Sequence, residues 1–248
     1  MKKLLFTAFL MASCFYSFAQ QYIYISQEGL VKIFRFEAGY TRFSLTPQDS
    51  STKTAQAIHL SNEVKIISAF MGDHEITVHD AFYLDLDLGV MTSPKNVYKG
   101  NETESGFALN TNMGYLCLVG YRNKKWAALG GIDFRWRTTA VGGVSMPDLN
   151  GDLLYFSRPV VLRGEYNFSK NKNRRIIGQF WYANGNQTSR MPFQSFRIEY
   201  GIGSAERFWL MAQFTQQKAL GENHFMIYPP SQTVFNQLVL GVRVGLLP

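Results

Sequence analysis

Cysteine is almost missing from this chain: Cys14 and Cys117 are the only two in 248 residues. A disulfide framework is thereby excluded. Charge is sparse too, at 17% of residues, against about 25% in ordinary soluble proteins. No apolar run reaches the ~20 residues that a helix needs to cross a bilayer. A mean hydropathy of -0.12 is also too polar for a helical membrane bundle. No linker, low-complexity tract or long internal repeat divides the chain, so it makes one large domain or a single barrel.

Missing motifs narrow the chemistry further. His74, His79 and His224 have no neighbours at metal-ligand spacing, so no metal is expected. Gly201-Ile202-Gly203 opens no helix and has no third glycine where a nucleotide loop requires one. Asp148 to Asp152 (DLNGD) looks like the opening of a calcium loop but lacks the later bidentate Glu, and its residues are ordinary turn formers. Formal net charge falls from +7 to +5 once Lys2 and Lys3 leave with a leader. What remains is spread along the chain with no basic stripe, so no nucleic-acid partner and no cofactor are expected.

The leader itself is distinct. Met1-Lys2-Lys3 is a positive start, residues 4–11 are apolar, and Ser17-Phe18-Ala19 offers a small-x-small cleavage site. Residues 1–19 are read as a secretory signal peptide and 20–30 as a short periplasmic segment, with a barrel over 31–248. Met11-Ala12-Ser13-Cys14 resembles a lipobox, and acylation at Cys14 is the alternative route. Cleavage after Ala19 would leave Cys117 as the one cysteine.

Aromatics, at 15%, are abundant, and they recur with the period of two that marks strands. Phe34, Phe36, Ala38 and Tyr40 alternate with Arg35, Glu37, Gly39 and Thr41. Phe82, Leu84, Leu86, Leu88 and Val90 alternate with Tyr83, Asp85, Asp87 and Gly89. The same reading gives strands over 31–44, 58–71, 76–90, 107–121, 126–137, 154–168, 176–183, 196–202, 208–216 and 234–246. Short turns fall at 72–74, 122–125, 169–173 and 204–206. Longer loops lie between, among them 47–57, 92–106, 142–152 and one carrying Pro229-Pro230.

Ten strands with short turns on one rim and long loops on the other predict an all-β, antiparallel up-and-down transmembrane barrel. Counts of eight or twelve stay open. Gly39, Gly89, Gly114, Gly120, Gly131, Gly201, Gly203, Gly241 and Gly245 lie on the polar face, which suits a crowded lumen. Gly130, Gly164 and Gly178 break that pattern. Tyr40, Tyr121, Trp126, Trp136, Phe156 and Phe168 end the apolar face, as girdle aromatics would. The last strand would leave a sticky edge unless it paired with the first.

On these grounds the chain resembles the small outer-membrane β-barrels of diderm bacteria. The one local motif is VLGVRVGL, in which Gly241, Val244 and Leu246 match the terminal assembly signal of such proteins. Val239 stands where a polar residue is usual, and Leu246-Leu247-Pro248 replaces a terminal aromatic. The resemblance implies an outer-membrane location with both termini periplasmic. It also implies outer-membrane lipid, periplasmic chaperones and the barrel assembly machinery as partners.

With the polar face inward, Arg35, Arg135, Arg137, Arg163, Arg197 and Arg243 would face Glu37, Asp85, Asp87, Asp133, Glu165 and Glu199. Six of each sign predict a neutralised ion-pair network, since a lone buried charge costs several kcal/mol. A barrel of this size is filled by side chains rather than open. The expected role is structural or binding, through extracellular loops that carry Tyr98, Lys99, Phe225, Met226 and Tyr228 and could meet an envelope or extracellular protein. A narrow or gated solute channel is one alternative. A barrel-embedded hydrolase is another: pairing across the 72–74 turn would bring His59 to Asp87, near Asp85. This resembles the Asp–His pair and acidic pairs of omptin proteases, although no motif of theirs matches residue by residue.

Overall fold

The structure, a computed structural model, describes residues 34–46, 52–67, 75–91, 106–141, 144–147, 159–168, 174–184, 192–202, 208–219 and 233–245. Along them run β1 (Phe34–Thr46), β2 (Lys53–Val64), β3 (Ile76–Met91), β4 (Phe107–Arg122), β5 (Trp126–Val141) and β6 (Val144–Pro147). β7 (Val160–Asn167), β8 (Arg174–Ala183), β9 (Phe193–Ile202), β10 (Phe208–Ala219) and β11 (Thr233–Gly245) follow. Every pairing is antiparallel between sequence neighbours, except that β7 returns to β5 beside the short β6. β11 then pairs with β1, setting Glu37 opposite Arg243 and Tyr40 opposite Leu240. The sheet closes into a barrel whose wall has ten strands, with β6 lying beside the upper end of β5 on the side where β7 pairs with its lower end. Closure leaves the wall strands no free edge.

Alternation along each strand becomes inside and outside. In β7, Val161, Arg163 and Glu165 are buried while Val160, Leu162, Gly164 and Tyr166 are exposed. Glycine separates the two faces sharply. A Cβ at inward Gly89 or Gly131 would run into the backbone of the adjacent strand, whereas at outward Gly164 and Gly178 it would meet nothing within 4 Å.

Several boundaries differ from the sequence reading. The loop expected over 47–57 ends early, because β2 starts at Lys53 and turns Ala55 and Ala57 inward. Their methyl groups are what fits opposite Phe43 and Leu45 in the same apolar cluster. The strand expected over 58–71 stops at Val64. There the backbone N–H groups of Ile66 and Ile67 donate to the Asp80 carboxylate at 3.2 and 3.0 Å. A chain satisfied by a carboxylate no longer needs the ladder. Short and long connections are accordingly not in strict alternation, since 65–75 is longer than 47–52 on the opposite rim. β5 runs on to Val141, and its continuation returns as β6 instead of opening a loop directly. The turn at 72–74, the DLNGD segment, the leader and Leu246 lie outside the described residues, as do Tyr98, Lys99, Phe225, Met226 and Tyr228.

Candidate functional site

The interior is stratified, and β1 shows the order: Arg35, Glu37, Gly39, Thr41, Phe43 and Leu45 point inward from the lower rim to the upper. The lower rim carries the start of β1 and the end of β11. At the upper rim an apolar cap joins Phe43, Leu45, Ala55, Ala57, Ala108, Val141 and Phe235, all nearly inaccessible. Below it lies a layer of hydroxyls and amides. Thr139 donates to Asn110 at 2.7 Å, Gln237 donates to Thr41 at 3.2 Å, and Ser195 lies 2.9 Å from Thr215.

The upper charged tier comes next. His59 and Asp87 are opposite each other in the β2–β3 register, and Nδ1 lies 2.6 Å from the carboxylate. The other ring nitrogen lies 3.3 Å from Glu37. An imidazolium is the form that donates to both. Asp87 also receives Asn110 and, at 2.7 Å, Gln237, and it has no accessible surface. Asp85 is bound by Ser61 at 2.6 Å and by Asn112 at 2.7 Å. Asp133 accepts the Tyr83 hydroxyl at 2.8 Å and pairs with Arg135 at 3.0 Å. Arg135 in turn stacks on Phe193, 4.2 Å from its centroid, and Arg137 lies 4.6 Å over Phe235. Here Arg135, Arg137 and His59 stand against Asp85, Asp87 and Asp133.

The lower tier is built differently. Glu165 alone receives Arg163 at 2.8 Å, Arg175 at 2.9 Å and Arg122 at 3.2 Å. Glu63 is shared by Arg243 at 3.5 Å, Arg35 at 3.7 Å and Lys65 at 3.9 Å. Glu37 joins Arg243 on the adjacent strand β11 and Arg197 on β9, and Glu199 accepts from Arg197 at 2.6 Å and Arg243 at 2.9 Å. The tier therefore sets Arg35, Lys65, Arg122, Arg163, Arg175, Arg197 and Arg243 against Glu37, Glu63, Glu165 and Glu199. Burial, together with the neighbouring Arg35, Arg163 and Arg243, holds the Lys65 ammonium well below its ordinary range despite Glu63.

All twelve charged residues expected in the lumen face inward. Sequence reasoning missed Glu63, Lys65, Arg122, Arg175 and the hydroxyl of Tyr83. The balance of six against six is lost with them, because three of these additions are cations and one is an anion. Arg122 was assigned to a turn, and Arg175 precedes the strand expected from 176. Extending each parity by a residue or two would have found both.

Between the tiers lies a cavity of about 50 Å3 whose lining includes His79, Arg135, Arg163, Gln179, Glu199 and Arg243. That is room for a few waters or one small ion, not a through-passage. The described residues bring no group of three or more His, Cys, Asp or Glu together in a metal-holding arrangement. The His59–Asp87 pair is deeply buried, and its polar atoms are committed to neighbouring side chains, which leaves no reacting oxygen facing open space.

The outer face is apolar between two polar belts. Ile58, Ile76, Val90, Phe107 and Leu162 are each at least 60% exposed. Toward the upper rim Gln194 donates to Gln216 at 2.7 Å, and Gln216 donates to Asn236 at 3.0 Å. At the lower rim Lys124, Lys125 and Arg174 are exposed, and Lys125 lies 5.7 Å over the Tyr166 ring. Tyr121 and Trp126 pack together there at 5.3 Å.

No family model and no curated protein matches the chain. Among solved structures, Neisserial surface protein A is similar at 10% identity and a TM-score of 0.33, over 86% of this chain and 97% of that one. Ail, the attachment invasion locus protein of Yersinia pestis, is similar at 8% identity and a TM-score of 0.28, over 85% and 96%. OpdQ of Pseudomonas aeruginosa is similar at 9% identity and a TM-score of 0.19, over 86% and 98%.

Proposed function

We propose that the protein is an integral outer-membrane barrel whose filled interior serves as a rigid scaffold for binding through its upper loops. One observation carries the reading: the molecule is inside-out, with an apolar outer band enclosing a core of ion pairs. A water-soluble barrel would not leave so much contiguous apolar surface exposed. In a bilayer the same surface faces acyl chains, the closed ladder satisfies the backbone groups of the strands it pairs, and Tyr121, Trp126 and Tyr166 reach the headgroups.

The lower rim, with shorter connections at 123–125, 168–173 and 203–207, is the periplasmic side on this reading, and the upper rim is the extracellular side. The apolar cap and the Glu37–Arg197–Arg243–Glu199 cluster occupy the lumen where a pore would need water. Outer-membrane fractions should yield a heat-modifiable band, and planar bilayers should show no current; a protein soluble without detergent would remove the membrane reading, and steady conductance would replace the scaffold with a channel. Shortening the 47–52 or 220–232 connection should spare insertion and abolish a partner phenotype.

A further inference from the structure

A crowded lumen does not explain Gly164 and Gly178, which face outward on β7 and β8. Glycine weakens a strand, and it is at home there where another backbone or a ligand comes close. No backbone is close here, because a Cβ at either position would meet nothing within 4 Å. Ala128, Gly164 and Gly178 are register partners on the adjacent strands β5, β7 and β8. Their small size leaves a groove of about 360 Å3 in the outer wall, bordered by Leu162, Phe180 and Phe196.

Towards the lower rim the same three strands change character. Trp126, Tyr166 and Ile176 form the next outward row, and cations stand beneath it. Lys125 is exposed and lies 5.7 Å over the Tyr166 ring. Arg174 is exposed on the other side of β7, where its carbonyl accepts the Phe168 N–H at 2.9 Å. Two strand spacings, roughly 10 Å, separate them. The turn that carries Lys125 is fixed: Asn167 donates to the Lys125 carbonyl at 2.8 Å and to the Lys124 carbonyl at 2.9 Å, and the Asn123 side chain accepts from Lys125 N–H at 2.8 Å. Neither Lys125 nor Arg174 has an ion-pair partner among the described residues. Glu75, an exposed carboxylate on this rim, adjoins Arg122 on the β3 side, and the SKNKN sequence joining β7 to β8 contains no Asp or Glu.

We propose that this strip of β5, β7 and β8 holds one anionic phospholipid of the periplasmic leaflet. An acyl chain lies in the Ala128–Gly164–Gly178 groove, and the phosphate sits between Lys125 and Arg174. Charge complementarity selects the occupant: cations just below an apolar groove, beside the aromatics of the headgroup level, match a negative headgroup on an apolar chain. An acidic soluble partner would use the cations and ignore the groove. The site rests on the membrane reading of the barrel and on its lower rim being periplasmic.

The test uses the full chain, delipidated in neutral detergent, with heat-modifiable migration verifying that each variant is folded. By native mass spectrometry, one added dimyristoyl phosphatidylglycerol should be retained per barrel, in preference to dimyristoyl phosphatidylcholine. Lys125→Gln and Arg174→Gln should each weaken phosphatidylglycerol binding about fivefold, the worth of one cation near a charged headgroup, and should leave phosphatidylcholine unaffected. Gly178→Leu fills the groove and should weaken binding of both lipids. The proposal is overturned if the wild-type barrel retains the two lipids equally, or if folded Gly178→Leu retains phosphatidylglycerol in full. Capture of soluble polyglutamate by wild type and Gly178→Leu alike, without lipid preference, would overturn it in favour of an acidic partner. Each of these outcomes leaves heat-modifiable migration intact and so removes the site without the barrel, whereas a protein soluble without detergent removes both.

Discussion

The two charged tiers of the interior use the same residue types to opposite effect. In the upper tier each carboxylate is surrounded by neutral donors as well as cations: Asp87 takes Asn110 and Gln237, Asp85 takes Ser61 and Asn112, and Asp133 takes Tyr83. In the lower tier Glu165 is held entirely by guanidinium groups, and Glu63 by guanidinium groups and an ammonium. A carboxylate bound by amides is replaceable in parts. One that anchors three cations is not, because its loss removes the anion that all three share.

The sharpest break in that comparison is Glu165→Gln. It should destabilise the barrel by about 3–5 kcal/mol, the usual cost of removing one side of a buried pair, read as a fall in the denaturant midpoint in detergent. An equal or larger loss in Asp85→Asn would erase the distinction between tiers. Next in size, Leu45→Ala should cost about 2–4 kcal/mol by opening a void in the apolar cap, and a bilayer recording of that variant checks whether the cap also seals the lumen. Tyr83→Phe removes one donor from Asp133 while Arg135 remains, so about 1 kcal/mol is expected. The smallest effect belongs to the outer face. Gly164→Ala meets open space and relieves the strand cost of glycine, so its midpoint should be unchanged or slightly higher. Gly89→Ala, directed into the backbone at Gln56 and Ala57, should lower it.

Much of this was legible from residue order. The even strand count led to the pairing of first and last strands, and Arg243 does stand opposite Glu37. Counting across one turn led to His59 and Asp87 as partners, and they are opposite in the register. What resisted reading was where strands end. Lys53 to Ala57 looks like a polar loop, yet alanines are small enough to sit under Phe43 and Leu45. Beyond Val64, a single carboxylate, Asp80, draws the chain out of the ladder. No periodicity reports such a local competitor. The same uncertainty at strand ends hid Lys65, Arg122 and Arg175, three of the cations that gather at the lower tier.

The sequence by itself determined which side of the wall each residue occupies, because a strand alternates faces whatever it is paired with. It thereby determined an apolar exterior and a charged interior. The tertiary structure decided who meets whom. Glu37 and Arg197 are 160 residues apart in the chain and lie on strands that do not pair. They meet because closing the sheet folds β1 and β9 towards a common centre. Whether an interior is neutral or cationic at a given depth depends on that convergence, and only closure places all the charges of one level in the same volume.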